Sequence, residues 1–347
     1  MIETSLHQSE PVVLPGRPSG RVARSIAAHA LLVALMLVTP MVVFVSAALL
    51  HCGIRNGRRA AWLTALLAMV PFALFVAVAP ATAADANGGW VSFCVMALAV
   101  MLPTLIVMPL VERGEKFGTV LALLLVGAML GLLATEAISQ ALLDHSPYAV
   151  QLTDYAKLNG AVVNEYRRRG APAEWISRAQ QTGEFALLVL PGLLLVTLSF
   201  VFTLSLLMLG RLKAWRELAA RRGDEQTLGA YFFRNFSLPD WVLFAFVLGG
   251  LTPVASGLLQ KVAANTLAVV VFLYILQGLA IFRFLLGAMG GGIVQTIFGW
   301  LMLAFLTLLT AGAPVLLLGV AGLFDSFFDF RHFKKKRKDD SHESHSD

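Results

Sequence analysis

A carboxylate inside a long apolar run is the first group in this sequence that needs a chemical reason. Glu136 stands in the run 118–142, with Ser139 and Gln140 a turn later on nearby faces. At mid-membrane a carboxylate costs about 2.5–3.5 kcal/mol on insertion scales. It must therefore either line a solvated cavity, where it contacts a polar or cationic solute, or bond a neighbouring helix. A second group lies on the run 262–287: Asn265 near one end, Tyr274 and Gln277 one turn apart, then Gly278 and Arg283. Buried amides in a bundle hydrogen-bond across helices, and the same amides facing a cavity would hold a ligand. Glu136, Gln140, Asn265, Tyr274 and Gln277 form the candidate ligand-binding set. Arg283 reads as an interfacial, snorkelling cation.

Catalytic patterns are missing. The sequence has no HExxH, GxSxG, P-loop or dinucleotide fingerprint, so neither an enzyme nor a cofactor is expected. Cys52 and Cys94 are the only cysteines, without CxxC or metal-ligand spacing, so no disulfide framework and no metal site is expected. Asp325 and Asp329 are four residues apart in Phe324-Asp325-Ser326-Phe327-Phe328-Asp329-Phe330-Arg331. They read as part of an interfacial aromatic belt.

The elements that position these residues are apolar. Of 347 residues, 58% are apolar and 14% charged, which excludes an ordinary soluble enzyme. Apolar runs at 26–53, 60–80, 90–111, 118–142, 185–209, 241–259, 262–287 and 293–324 each approach or exceed the ~20 residues that cross a hydrocarbon core. This predicts an all-α polytopic transmembrane bundle of eight apolar runs. The first and last runs carry Pro40 and Pro314 near their middles. Each is either one kinked helix or a hairpin of two short ones, giving eight to ten membrane segments.

Charge helps to decide. The excess of basic residues, +6 overall, gathers at the ends of apolar runs, which points to the positive-inside bias and away from nucleic acid. If both proline-bearing runs cross twice, every basic cluster lies inside except that of 143–184 and Lys261, so the split scheme is favoured. Arg58 and Arg59 are then inside, as is the C-terminal tail, and Asp85 is outside. Cys52 is expected to be accessible from the cytoplasm and Cys94 near the outer face, too far apart to pair.

The expected organisation is a polar segment 1–25, a single transmembrane domain 26–331, and a disordered charged tail 332–347 that touches anionic lipid. Within the domain, 143–184 is an extracytoplasmic amphipathic loop. Tyr148, Leu152, Tyr155, Leu158, Val162 and Tyr166 make one helical stripe, and Gly170-Ala171-Pro172 breaks it before a second short helix over 174–184. The stripe is either a lid over a cavity or a cap lying at the membrane interface. The segment 210–240 is the main cytoplasmic loop. Ala30 and Ala34, at four-residue spacing, allow close helix contact with a partner.

Three segments resemble the YybS-like family of predicted bacterial membrane proteins, a domain of unknown function. They are Phe236-Ser237-Leu238-Pro239-Asp240-Trp241, the stretch from Asn265 through Tyr274-Ile275-Leu276-Gln277-Gly278-Leu279-Ala280, and Leu318-Gly319 with the Asp325–Arg331 ending. That family is similar, at the fold level, to substrate-binding membrane subunits of energy-coupling-factor transporters. The resemblance implies a multi-pass protein of a bacterial inner membrane. The residues themselves point to a small-solute-binding transport component, and since the chain has no phosphate loop of its own it would depend on an ATPase-bearing module. The alternative is a non-transporting scaffold that organises other membrane proteins. A cavity lined by Glu136, Asn265 and Gln277 would favour transport; a filled bundle with Glu136 at a helix–helix seam would favour the scaffold.

Overall fold

Pro40 has no amide hydrogen and disfavours a helical Thr39, so the first apolar run cannot continue through it. In the computed structural model, helix α1 (Ser19–Leu37) ends just before Thr39, a 3-10 turn covers Pro40–Phe44, and α2 (Val45–Asn56) follows. The Asn56 amide donates to the Ser25 hydroxyl at 2.9 Å, and the rings of His29 and His51 stack with centroids 5.5 Å apart. Helix α2 has therefore turned back alongside α1. The run is a hairpin, as the split scheme requires.

The described residues are 19–78, 89–143, 146–222, 229–288 and 292–328; the segment before Ser19 and the tail 332–347 lie outside them, as does Asp85. Helix α3 (Arg58–Val78) and α4 (Gly89–Arg113) are antiparallel, because Arg58 at the start of one is paired with Glu112 at the end of the other at 2.6 Å. Then follow α5 (Phe117–Leu143), α6 (Pro147–Arg168), α7 (Ala173–Arg211) and α8 (Lys213–Arg222). A 3-10 turn at Phe233–Asn235 leads to α9 (Val242–Gly250), α10 (Gly257–Ala288), α11 (Ile293–Leu309) and α12 (Ala313–Phe328).

The fold is all-α, but the described residues do not confirm eight crossing runs. Among the described residues five helices, α1, α3, α5, α7 and α10, are long and apolar enough to cross a membrane, and α11 with α12 makes a sixth if counted as one bent span. The run 241–259 fails because α9 is only nine residues long. Pro253 denies the helix a donor and disfavours a helical Thr252 before it, and the Thr252 hydroxyl closes the end on the Gly249 carbonyl at 2.6 Å. The last run is broken, with a bend of 117°, but at Ala311 and Gly312, which take φ 49° and 92°. Pro314 sits in the first turn of α12, where its missing N–H is no loss.

The separate helix expected over 174–184 is instead the first third of α7, which runs unbroken for 39 residues, about 58 Å at 1.5 Å per residue. Nothing between Glu184 and Phe185 ends a helix. The dozen residues before the apolar stretch therefore extend about 18 Å beyond it, and α6 folds back against them.

Helix α2 lies at the centre of the bundle, with Val45, Leu49, Leu50 and Cys52 fully buried. The expected labelling of Cys52 from the cytoplasm is corrected accordingly. Its thiol is enclosed, 3.2 Å from the Thr64 hydroxyl; the side chain of Cys94 is outside the described set. The 210–240 segment is likewise less loop-like than expected. Trp215, Tyr231 and Phe236 are buried around Phe117, each ring edge-on to a neighbour. Helix α8 keeps Trp215 and Ala219 inward and turns Arg216, Arg221 and Arg222 outward.

Helices α10 and α12 approach at backbone distance. A Cβ at Gly278 would overlap the Leu318 carbonyl, and one at Gly322 the Tyr274 carbonyl. Gly322→Val is expected to lower the melting temperature of the detergent-solubilised protein, by at least the ~1–3 kcal/mol of ordinary overpacking. Gly131→Ala, on an open face, should leave it unchanged or raise it slightly. Equal melting of the two variants would contradict this packing.

Candidate functional site

Pro191 interrupts the hydrogen-bond ladder of α7, and Gly192 beside it leaves room for a neighbour. Asn265 of α10 fills that room. Its Nδ2 donates to the Leu188 carbonyl at 2.9 Å and to its own Lys261 carbonyl at 2.7 Å; its Oδ1 accepts from the Gly192 N–H at 2.5 Å. In an intact helix Gly192 N–H would bond Leu188 C=O directly. The amide has entered that bond and satisfies both ends of it.

Gln277, three turns further along α10, is 1% exposed. The N–H of Leu238 can only donate, so Gln277 Oε1 accepts it, at 3.1 Å, and Nε2 must donate onward, to Asp325 Oδ2 at 3.0 Å. Asp325 is itself buried on α12. Tyr274 is buried one turn before Gln277, its hydroxyl bonded to Ser326 and its ring edge-on to Phe246. The segments 236–241, 265–280 and 318–328, remote in sequence, thus meet in one polar node.

Glu136 is at a different seam. It accepts hydrogen bonds from the Ser146 hydroxyl and, at 3.2 Å, from the Tyr148 N–H, at the start of α6. Ser146 also caps that helix by accepting from the Ala149 N–H at 2.9 Å. A carboxylate at a helix N-terminus is favoured by the helix dipole. Burial first, and Glu136 second, hold the Tyr148 phenol above its ordinary range. Gln140 is exposed, and Ala30 and Ala34 are buried within the chain's own core.

The structure therefore brings Tyr274 and Gln277 together and leaves Glu136, Gln140 and Asn265 elsewhere. A surface cleft of about 470 Å³ between α6 and α7 is lined by Asn159, Val162, Tyr166, Trp175, Arg178 and Thr182, among others, and by none of the five candidates. The metal expectation concerned ligand spacing; among the described residues no group of three His, Cys, Asp or Glu could hold an ion. Two bonding positions are not visible in the sequence: Asp325 reads as part of an aromatic belt but holds Gln277, and nothing near Pro191–Gly192 announces Asn265 as a partner.

The two amides can be tested separately. Asn265→Ala removes the bonds to two part-buried backbone groups and is expected to cost about 1–3 kcal/mol of stability. In Pro191→Ala the ladder can close on itself, so the cost of Asn265→Ala there should fall by about 1 kcal/mol; strict additivity in this double-mutant cycle would refute the splint. Asp325→Asn keeps an acceptor for Gln277 and should melt near the parent, whereas Asp325→Leu strands the Gln277 donor and should melt well below it. A reversal of that order would show that the Gln277–Asp325 bond does not hold this seam.

No curated protein and no solved structure is significantly similar to the chain. A family model described as predicted membrane protein (DUF2232) matches residues 26–326, a range that takes in α2 to α11, most of α1 and α12, and all three seams. With its helices long and apolar enough to span a bilayer and that match over most of its length, the chain belongs to this family of predicted membrane proteins.

Proposed function

We propose that the protein is a non-catalytic membrane scaffold that organises other membrane proteins. The observation that carries this reading is the use made of the intramembrane polar groups. Glu136, Asn265 and Gln277 each spend their polar atoms on another part of the same chain. Glu136 sits at a helix–helix seam, the arrangement that favours a scaffold. The surfaces left for partners are the projecting α6–α7 arm, where Tyr155, Leu158 and Val162 are exposed, and the basic outer face of α8. By the positive-inside bias the end carrying Arg58, Arg113, Lys116 and Arg211 faces the cytoplasm of a bacterial inner membrane, and the C-terminal tail lies on the same side.

A second reading keeps the transport component. Helix α2 is a half-length helix at the heart of the bundle, and discontinuous helices are how many transporters build a binding site near the bilayer midplane. The resemblance to the YybS-like family, and through it to energy-coupling-factor substrate subunits, belongs to this reading, as does dependence on an ATPase-bearing partner.

Native mass spectrometry of the detergent-purified protein separates the two. The scaffold is expected to fly without a stoichiometric small molecule. A retained one that is lost in Asn265→Ala or Gln277→Ala would overturn it in favour of transport. Concentrative uptake by the isolated chain in liposomes, abolished by Glu136→Gln, would overturn both readings and make it a proton-coupled carrier.

A further inference from the structure

The neck of the α1–α2 hairpin holds two histidines that neither reading above uses. His29 Nδ1 lies 2.7 Å from the Ser25 carbonyl. A carbonyl can only accept, so the neutral ring carries its proton on Nδ1 and leaves Nε2 for a second. His51 stacks on this ring at 5.5 Å between centroids and 25° between planes, and its own Nδ1 is buried without a hydrogen-bond partner. Each neutral ring has one nitrogen without a proton. The basic groups beside His51 are His29 on α1, stacked on it, and Arg55 one turn on along α2. At the same end of the packed helices stand Arg24, Arg58, Arg59, Arg113 and Arg211. Of the acids there, Glu112 is held by Arg58 at 2.6 Å and Glu217 on α8 by Lys213 at 3.7 Å, and Glu115 stands in the turn between α4 and α5, between Arg113 and Lys116. The second proton to arrive brings a like charge against the first.

We propose that His29 and His51 form a proton-binding site that controls the hairpin: neutral rings stack and hold α2 against α1, and double protonation parts them. Across this neck Asn56 donates to Ser25 at 2.9 Å, whereas the Cys52–Thr64 contact at 3.2 Å ties α2 to α3. Cys52, next to His51 and fully buried when the neck is closed, reports its opening.

Cys94→Ser leaves Cys52 as the single thiol. In liposomes its reaction with 4,4′-dithiodipyridine, divided by that of free cysteine at each pH, is expected to rise about fivefold or more from about pH 8 to pH 5.5, the span over which histidine takes its proton. The rise should vanish in His51→Gln and in His29→Gln. A flat profile in the parent overturns the proposal, and so does a rise that survives either substitution. Should His51→Gln fail to fold, His29→Gln and the parent profile still decide. The outcome is independent of whether the protein is a scaffold or a transport component.

Discussion

Lipid offers no hydrogen bonds, so every interruption of a helix inside the bundle must be repaired by the protein itself. This constraint organises the structure. At the tip of the α1–α2 hairpin the Thr39 hydroxyl donates to the Leu35 carbonyl at 3.0 Å, and Ser205 of α7 donates to the Val43 carbonyl. At Pro191 the repair is Asn265; where the chain enters α9 it is Gln277, bonding Leu238. Thr252 and Thr310 each close a helix end on a carbonyl three or four residues back. Many polar residues of the apolar runs thus stand where the backbone breaks, at separate places in the bundle and not around one cavity.

The same economy governs packing. Van der Waals contact and interhelical hydrogen bonds hold helices together in a membrane, and the closest approaches occur where glycine meets a carbonyl: Gly278 on Leu318, Gly322 on Tyr274, Gly118 on Ser237. Helix α2 is fastened by short polar rungs, Ser46 to Thr104 at 2.8 Å and Cys52 to Thr64 at 3.2 Å, between otherwise apolar faces. At the basic end the aromatic group around Phe117 joins the start of α5 to the 210–240 segment. Helix α11 stands apart, with no buried residue and Ile293, Val294 and Leu308 almost fully exposed.

Much of this was legible in the residues. Composition fixed the class, Pro40 marked the hairpin, and the amides of α10 announced interhelical bonds. The misreadings have local causes. A run such as 241–259 is apolar throughout, so hydropathy hides the nine-residue helix that Pro253 ends. Residues 174–184 are polar and 185–209 apolar, so a change of solvent looked like a change of element, although α7 never stops. Partners were the least visible part. Gln277 and Asp325 are 48 positions apart, and Asn265 reaches 77 positions back to Leu188. No periodicity encodes such pairs; they exist only once the bundle has formed.

The Ser205–Val43 bond has a consequence for how the protein is made. The two residues are 162 positions apart, and the acceptor is synthesised first. At about 5–20 residues per second, the tip of the hairpin waits roughly 8–30 s for its donor. During that interval the twelve-residue helix, too short to cross a bilayer alone, can lean only on α3 and α4, whose Thr64 and Thr104 bond it. The Val43 carbonyl at the tip waits without its donor until α7 is made. Closure of the tip is therefore a later step than docking of α2 on its near neighbours, set by the order of translation.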